Sequence, residues 1–224
     1  MSVPTTNEVC ERFRRMYLPA VTDALYELGL PEQVLPSSLR PLLPGRSFVG
    51  IAFTLEGAEI VPPVSWDEGK VRIASYLEVF SQLSADSVIV SKNTGSFVGH
   101  FGELTGNSAM RHGCVGVVLD GNLRDTFGLR EIGLQVFYRD VNPRSGIGRW
   151  EMISSGQPVT IGDVTVRTGD LVFAEFDGVL VVPQEQILTV LAKAEEIVGI
   201  EELVRDDMRN GVSPLEGLAR HGHI

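Results

Sequence analysis

Residues 87–138 read SVIVSKNTGSFVGHFGELTGNSAMRHGCVGVVLDGNLRDTFGLREIGLQVFY. Ser87–Ser91 is short and almost continuously apolar, as a strand covered on both faces would be. A glycine-bearing loop, Asn93 to His100, follows it. Gly102 opens a helical stretch, Glu103 to Gly113, and Gly116–Leu119 is again apolar and β-branched. An Asp120-Gly121 turn is expected next, then helix from Leu123 to Ile132 closed by Gly133, then strand at Gln135–Tyr138. The order β-loop-α-β-turn-α-β is that of a parallel sheet.

Outward toward the amino terminus, residues 1–7 are a loose start. A helical stretch then runs from Asn7, a candidate cap, to Gly29, interrupted by Pro19. Asp23 in its second part reads as a helix N-terminal charge or, less simply, a site residue. Residues 31–47 hold four prolines and read as loop. Ser47–Leu55 is a strand in which Gly50 marks a bulge or close approach. Residues 56–69 are irregular, and Trp66–Leu83 is an amphipathic helix burying Val71, Ala74, Leu77, Val79, Phe80 and Leu83. Beyond Arg139 a loop covers 140–151. Short strands at 159–161, 164–166, 171–175 and 178–182 are joined by hairpin dipeptides. A long helix fills 184–211, and the tail is polar. The expected class is α/β, a parallel βα layer packed on an antiparallel sheet.

The chain has 224 residues, 43% of them hydrophobic and 21% charged, with a net charge of -10. The acidic balance argues against nucleic acid as a partner. Cys10 and Cys114 form no disulfide framework or CxxC pair. The start lacks the basic-then-apolar pattern of a signal peptide, and no apolar run reaches membrane-spanning length. A cytoplasmic protein is the expectation.

In a right-handed βαβ unit the strands at 87–91 and 116–119 end on the same edge, where ligand crevices form. Helix starts at Gly102 and near Asn122 would both aim unpaired N–H groups there. Arg124 offers a planar, permanent donor fork for a carboxylate or enolate oxygen. Asp125 is too little for zinc but suffices for magnesium, which keeps waters. The pair reads either this way or as a helix-start charge beside a solvated arginine. The histidines at 100, 112, 221 and 223 share no metal-ligand spacing. His100 borders the crevice but reads as a polar loop histidine.

The run GELTGNSAMRHGCVGVVLDGNLRD (102–125), with TDAL (22–25), RPLLPG (40–45) and GDLVFAEFDGVLVVPQE (169–185), resembles the family of the regulator of ribonuclease E activity A and the class II 4-hydroxy-4-methyl-2-oxoglutarate aldolases. The resemblance implies one three-layer β/β/α, swivelling-domain-like unit over residues 1–224, with an N-terminal helical segment at 1–30. It also implies a trimer or hexamer with sites between subunits.

On the aldolase side it implies a lyase that cleaves a 4-hydroxy-2-oxo acid, such as 4-hydroxy-4-methyl-2-oxoglutarate or 4-carboxy-4-hydroxy-2-oxoadipate, to pyruvate and a second oxo acid. The charge passes through a metal-stabilised enolate, and oxaloacetate decarboxylation is a side activity. Gly102, Glu103, Leu104 and Thr105 take the substrate-binding loop, Arg124 the enolate, and Asp125 the Mg2+ or Mn2+. Glu201 or Glu202 would come from a neighbouring subunit. The alternative is a non-catalytic, protein-binding regulator of ribonuclease activity. The chain departs from the family pattern at EIVPPVSWDEG (59–69) and at His100-Phe101, which leaves the substrate's far end undefined.

Overall fold

A computed structural model describes residues 4–30, 33–95 and 98–223. Two helices open the chain, α1 (Thr6–Phe13) and α2 (Leu18–Glu27). Thr5, not Asn7, caps α1, in a reciprocal capping box with Glu8. Pro19 lies in the first turn of α2, where its missing N–H costs nothing. Asp23 therefore falls in mid-helix rather than in a first turn.

Next come β1 (Arg40–Pro41), β2 (Phe48–Glu59), α3 (Trp66–Arg72) and α4 (Ala74–Val79). Strand β2 continues four residues past Leu55, because β7 (Trp150–Ser155), inside a span expected to begin as loop, pairs with its far end. The expected single helix over 66–83 divides at Ile73 and ends in a 3-10 turn at Phe80–Gln82. Its buried side differs from the expected one: Tyr76, Val79, Phe80 and Leu83 are inside, while Val71 and Leu77 are exposed.

The remainder is β3 (Ser87–Thr94), β4 (Gly99–Phe101), α5 (Glu103–Arg111), β5 (Cys114–Leu123), α6 (Thr126–Glu131), β6 (Val136–Val141), β8 (Val159–Ile161), β9 (Val164–Val166), β10 (Leu171–Glu175), β11 (Gly178–Val182), α7 (Ile187–Arg209) and α8 (Pro214–His221). The tail expected to be merely polar thus forms α8, capped by Ser213.

Asp120 and Gly121 do not turn. They lie inside β5, where the register against β6 shifts between Leu119 and Asn122. The extended form wins because β4 and β6 pair with the strand beyond this point, at Gly99–Asn122 and Leu123–Val141. Local Asp-Gly preference yields to the ladder on both sides.

The sheet runs β1-β6-β5-β3-β2-β10-β11. Strands β2, β3, β5 and β6 are parallel, and β10 and β11 continue the same sheet in antiparallel fashion. The parallel and antiparallel halves are thus hydrogen-bonded through β2 and β10, while β8–β9 forms a separate hairpin. Strand alternation divides the core. Val88, Val90, Val118, Phe137, Val172 and Val181 face the β8–β9 side with Ile161 and Val166. The opposite face carries Ile89, Val117 and Leu119 against α4, α5 and α6, and Leu171, Phe173 and Leu180 against α1, α2 and α7. The result is the β/β/α layering. Gly50 is a close approach: an added Cβ would overlap the Asp86 carbonyl oxygen.

Candidate functional site

Strand β4 runs beside the end of β5 and hands the chain to α5 at Gly102. The Phe101 carbonyl accepts the Arg124 N–H at 2.9 Å, which ties the two strand ends together. The Thr105 hydroxyl accepts the Gly102 N–H at 3.0 Å and donates to the Gly102 carbonyl at 2.8 Å. The next N–H groups, of Glu103, Leu104 and Thr105, belong to a first helical turn and have no intrahelical acceptor.

Arg124 and Asp125 follow β5 directly. They precede α6 rather than lying in its first turn. Asp125 is in the left-handed region, at φ 53° and ψ 39°, a conformation uncommon for a residue with a side chain. The Arg124 Nε stands 3.3 Å from the Asp125 carboxylate. Gly102 makes this arrangement possible, since a Cβ there would overlap Asp125 Oδ2 and lie 2.9 Å from Arg124 Cγ. Gly99 acts likewise, with its missing Cβ 2.7 Å from Arg124 Cβ.

Gly102, Leu104, Thr105, Arg124 and Asp125 line one cleft of about 400 Å3. Its other side comes from α3, α4 and the 145–147 segment, through Trp66, Ile73, Leu77 and Ile147. The sequence brought no residue of that side into the crevice. The only cue was the departure at 59–69, which contains Trp66.

His100 is a second correction. It sits in β4, 7% exposed, and stacks on Trp150 with ring centroids 4.5 Å apart. Burial pushes its pKa down to about 3, so the ring is neutral at ordinary pH, and its Nε2 has no hydrogen-bond partner. Tyr76, also lining the cleft, is raised above the usual phenol range by burial, which hydrogen bonding with Thr105 only partly opposes.

Two expected groups lie elsewhere. The Glu103 side chain packs over Gly128 and accepts a hydrogen bond from Asn107, so only its backbone faces the loop's task. Glu201 and Glu202 are on α7, and neither lines the cleft. Glu201 accepts hydrogen bonds from the Tyr17 hydroxyl and, at 2.6 Å, from Arg205, while Glu202 is exposed. Among the described residues, Asp23, Glu201 and His223 bring one ligand atom each within 4.8 Å of one another and form a possible metal-binding group.

The residues at the cleft suit a hard divalent cation. Asp125 offers a carboxylate that is 42% exposed, its Oδ2 fits against Gly102 only because that residue has no Cβ, and no soft ligand lines the cleft among the described residues. Such a donor set fits magnesium or manganese holding several waters and not zinc.

A strand-edge cleft of this build, on a mixed sheet with β/β/α layering, defines a class. The RraA-like family model, described as "Aldolase/RraA", matches residues 18–181. The chain belongs to that family. A Halalkalibacterium halodurans protein named "Putative 4-hydroxy-4-methyl-2-oxoglutarate aldolase" is 30% identical over 83% of this chain and 81% of its own. Protein DlpA of Legionella pneumophila is 29% identical over 85% of this chain, which spans only 30% of that longer protein. The solved structure of Streptomyces coelicolor RraAS2, described as an unusual member of the RNase ES inhibitor RraA protein family, superposes with a TM-score of 0.76. It is 25% identical, over 92% of this chain and 98% of that one. Among the described residues no helix is long and apolar enough to cross a membrane.

Proposed function

We propose that this chain is a pyruvate-releasing lyase of the aldolase branch, acting on a 4-hydroxy-2-oxo acid in the 102–125 cleft. The supporting observation is the placement of Arg124 beside Asp125 behind a glycine that no other residue could replace without displacing them. In this reading residues 1–224 act as one domain in the cytoplasm.

Asp125, with water, would hold Mg2+ or Mn2+, and a bound ion would supply Lewis acidity toward the 2-oxo and carboxylate oxygens of the substrate. The chain's own groups do the rest. The C3–C4 bond breaks as the C4 hydroxyl loses its proton to a base, leaving a carbonyl at C4. The bonding pair moves into a C2–C3 double bond, and negative charge develops on the C2 oxygen. Arg124 and the N–H groups of Glu103, Leu104 and Thr105 would hold that charge. Protonation at C3 completes pyruvate. Loss of CO2 from oxaloacetate leads to the same enolate, so decarboxylation is an expected side activity.

A water held at the Asp125 site would serve as the base, supported by a carboxylate from a second copy, Glu201 or Glu202, in a trimer or hexamer. The exposed Leu104, which lines the cleft, and Phe127, two residues after Asp125, are 79% and 85% accessible and support such an assembly.

A second reading, a regulator that docks on a ribonuclease, is favoured by the description of the Streptomyces relative. The test is pyruvate release from a panel of 4-hydroxy-2-oxo acids, with Mg2+ and with chelator, by the wild type, Arg124→Ala and Asp125→Ala. Release that persists in chelator and in both variants would overturn the mechanism. No release from any acid, together with tight binding to a ribonuclease, would establish the regulator.

A further inference from the structure

Helices α2, α7 and α8 bring an imidazole and two carboxylates together, and none of the three lines the 102–125 cleft. Asp23 stands in mid-α2, Glu201 on α7, and His223 just beyond α8. On α7, Asp207 accepts a hydrogen bond from Arg220 at 3.1 Å and lies 3.0 Å from His221 Nε2, which fastens α8 to α7. Gly222, left-handed at φ 73°, then ends α8 and hands the chain to His223. One ligand atom from each of Asp23, Glu201 and His223 falls within 4.8 Å of the others.

The surrounding contacts leave donor atoms unused here. Tyr17 and Arg205 both donate to Oε2 of Glu201. Its Oε1 stands 3.9 Å from Nδ1 of His223, and that nitrogen is buried with no hydrogen-bond partner. A protonated His223 would close on Glu201 and Glu27, yet its two ring nitrogens stay 3.9 Å from them, beyond hydrogen-bond reach. Two donors about 2.0–2.2 Å from one tetrahedral ion are themselves about 3.5 Å apart, close to that spacing. Asp23 is exposed, so its carboxylate can turn to an ion and water can complete the shell.

We infer that Asp23, Glu201 and His223 form a cation site separate from Asp125, for a divalent ion that accepts nitrogen, zinc above all. One imidazole with two carboxylates and a water is a donor set zinc takes, whereas magnesium favours oxygen ligands throughout. The two carboxylates balance the ion's charge, and the ion satisfies the orphaned Nδ1. It would pin the last described residue of the chain across α2 and α7. The site goes beyond the proposed lyase and does not depend on it. With Glu201 so engaged, the exposed Glu202 is the carboxylate left for a neighbouring cleft.

The experiment reads binding and not turnover. The full chain, stripped of metal, is titrated with Zn2+ in calorimetry, with Mg2+ in excess to fill the Asp125 position. The wild type is expected to bind Zn2+ under these conditions, and Asp125→Asn to bind it equally well. His223→Ala should weaken that binding at least about tenfold, since loss of a group that merely orients a ligand already costs that much. Asp23→Asn, at an exposed position where the fold tolerates the change, should weaken it too. No uptake by the wild type overturns the inference, as does unchanged binding in His223→Ala or in Asp23→Asn. Loss of binding in Asp125→Asn also overturns it, by assigning the ion to the cleft. Failure of the lyase reading leaves the result standing, because no pyruvate is measured.

Discussion

Gly102 and Asp125 are 23 positions apart in sequence, yet the hydrogen of Gly102 faces Oδ2 of Asp125 so closely that a methyl group would overlap it. The Gly102 backbone is extended, with φ -151°, so a side chain is excluded by space and not by backbone strain. Gly102→Ala must push the Asp125 carboxylate or the Arg124 stem aside. Pyruvate release should fall by about a hundredfold, since misplacement of about 1 Å is enough for that. Thermal unfolding should move little, because the cleft rim is open. A variant with wild-type turnover would remove the steric argument.

Arg124 and Asp125 should fail differently. Arg124→Ala is expected to lower kcat about 10²- to 10³-fold while Mg2+ affinity is kept, as for a lost donor to developing negative charge. Asp125→Asn should instead weaken activation by Mg2+, seen as a rightward shift of the metal titration. Identical metal titrations for the two variants would contradict the division of roles.

His100 links the site to acid stability. Its folded pKa is about 3, below the ordinary histidine value of 6.5. Between those values the unfolded chain binds the extra proton, so stability is full above about pH 6.5 and declines as pH falls toward 3. The limiting slope is about 1.4 kcal/mol per pH unit for one group. His100→Phe, which keeps a ring against Trp150, should flatten that decline in chemical denaturation between pH 6.5 and 4. Parallel pH profiles for the two proteins would show that burial of His100 is not what costs stability in acid.

Trp150 packs against two residues that line the cleft, Tyr76 and His100. It is 1% exposed, packs edge-on against Tyr76, stacks on His100 and donates its indole N–H to Asn93 at 3.0 Å. Trp150→Ala should cost about 3–5 kcal/mol by leaving a cavity. Gly57 lies under the same ring, with no room for a Cβ, so Gly57→Ala should also destabilise, by about 1–3 kcal/mol through overpacking. Denaturant midpoints measure both.

The proposed assembly depends on apolar groups left in solvent. Phe127→Asp should shift the protein to a smaller species in light scattering and lower turnover with it, since the missing carboxylate comes from a second copy. A monomeric wild type with full activity would show that one chain suffices.

The parallel core was legible because a strand covered on both faces is written as an apolar run, and 87–91 and 116–119 are such runs. Right-handed crossover then placed their ends together, and Arg124 with Asp125 stood out as opposite charges beside that edge. Helical stretches at 6–27 and 187–209 were equally readable, although the first is capped by Thr5 rather than Asn7 and the second starts without a side-chain cap. What misled was local chemistry that non-local pairing overrode. Asp120-Gly121 reads as a turn but stays extended between β4 and β6. Trp150–Ser155 has loop neighbours but finds β2.

The sequence by itself determined the parallel strand core, the strand edge that carries the cleft, and the two charged residues on it, since these follow from periodicity, handedness and residue type; the β/β/α layering came from the family resemblance. Only the tertiary structure decided what stands opposite them. His100 became a neutral, stacked core residue because Trp150, fifty positions later, covers it, and Leu77 turned toward the cleft because the helix breaks at Ile73. Such relations are set by packing between segments distant in the chain, and no local pattern encodes them.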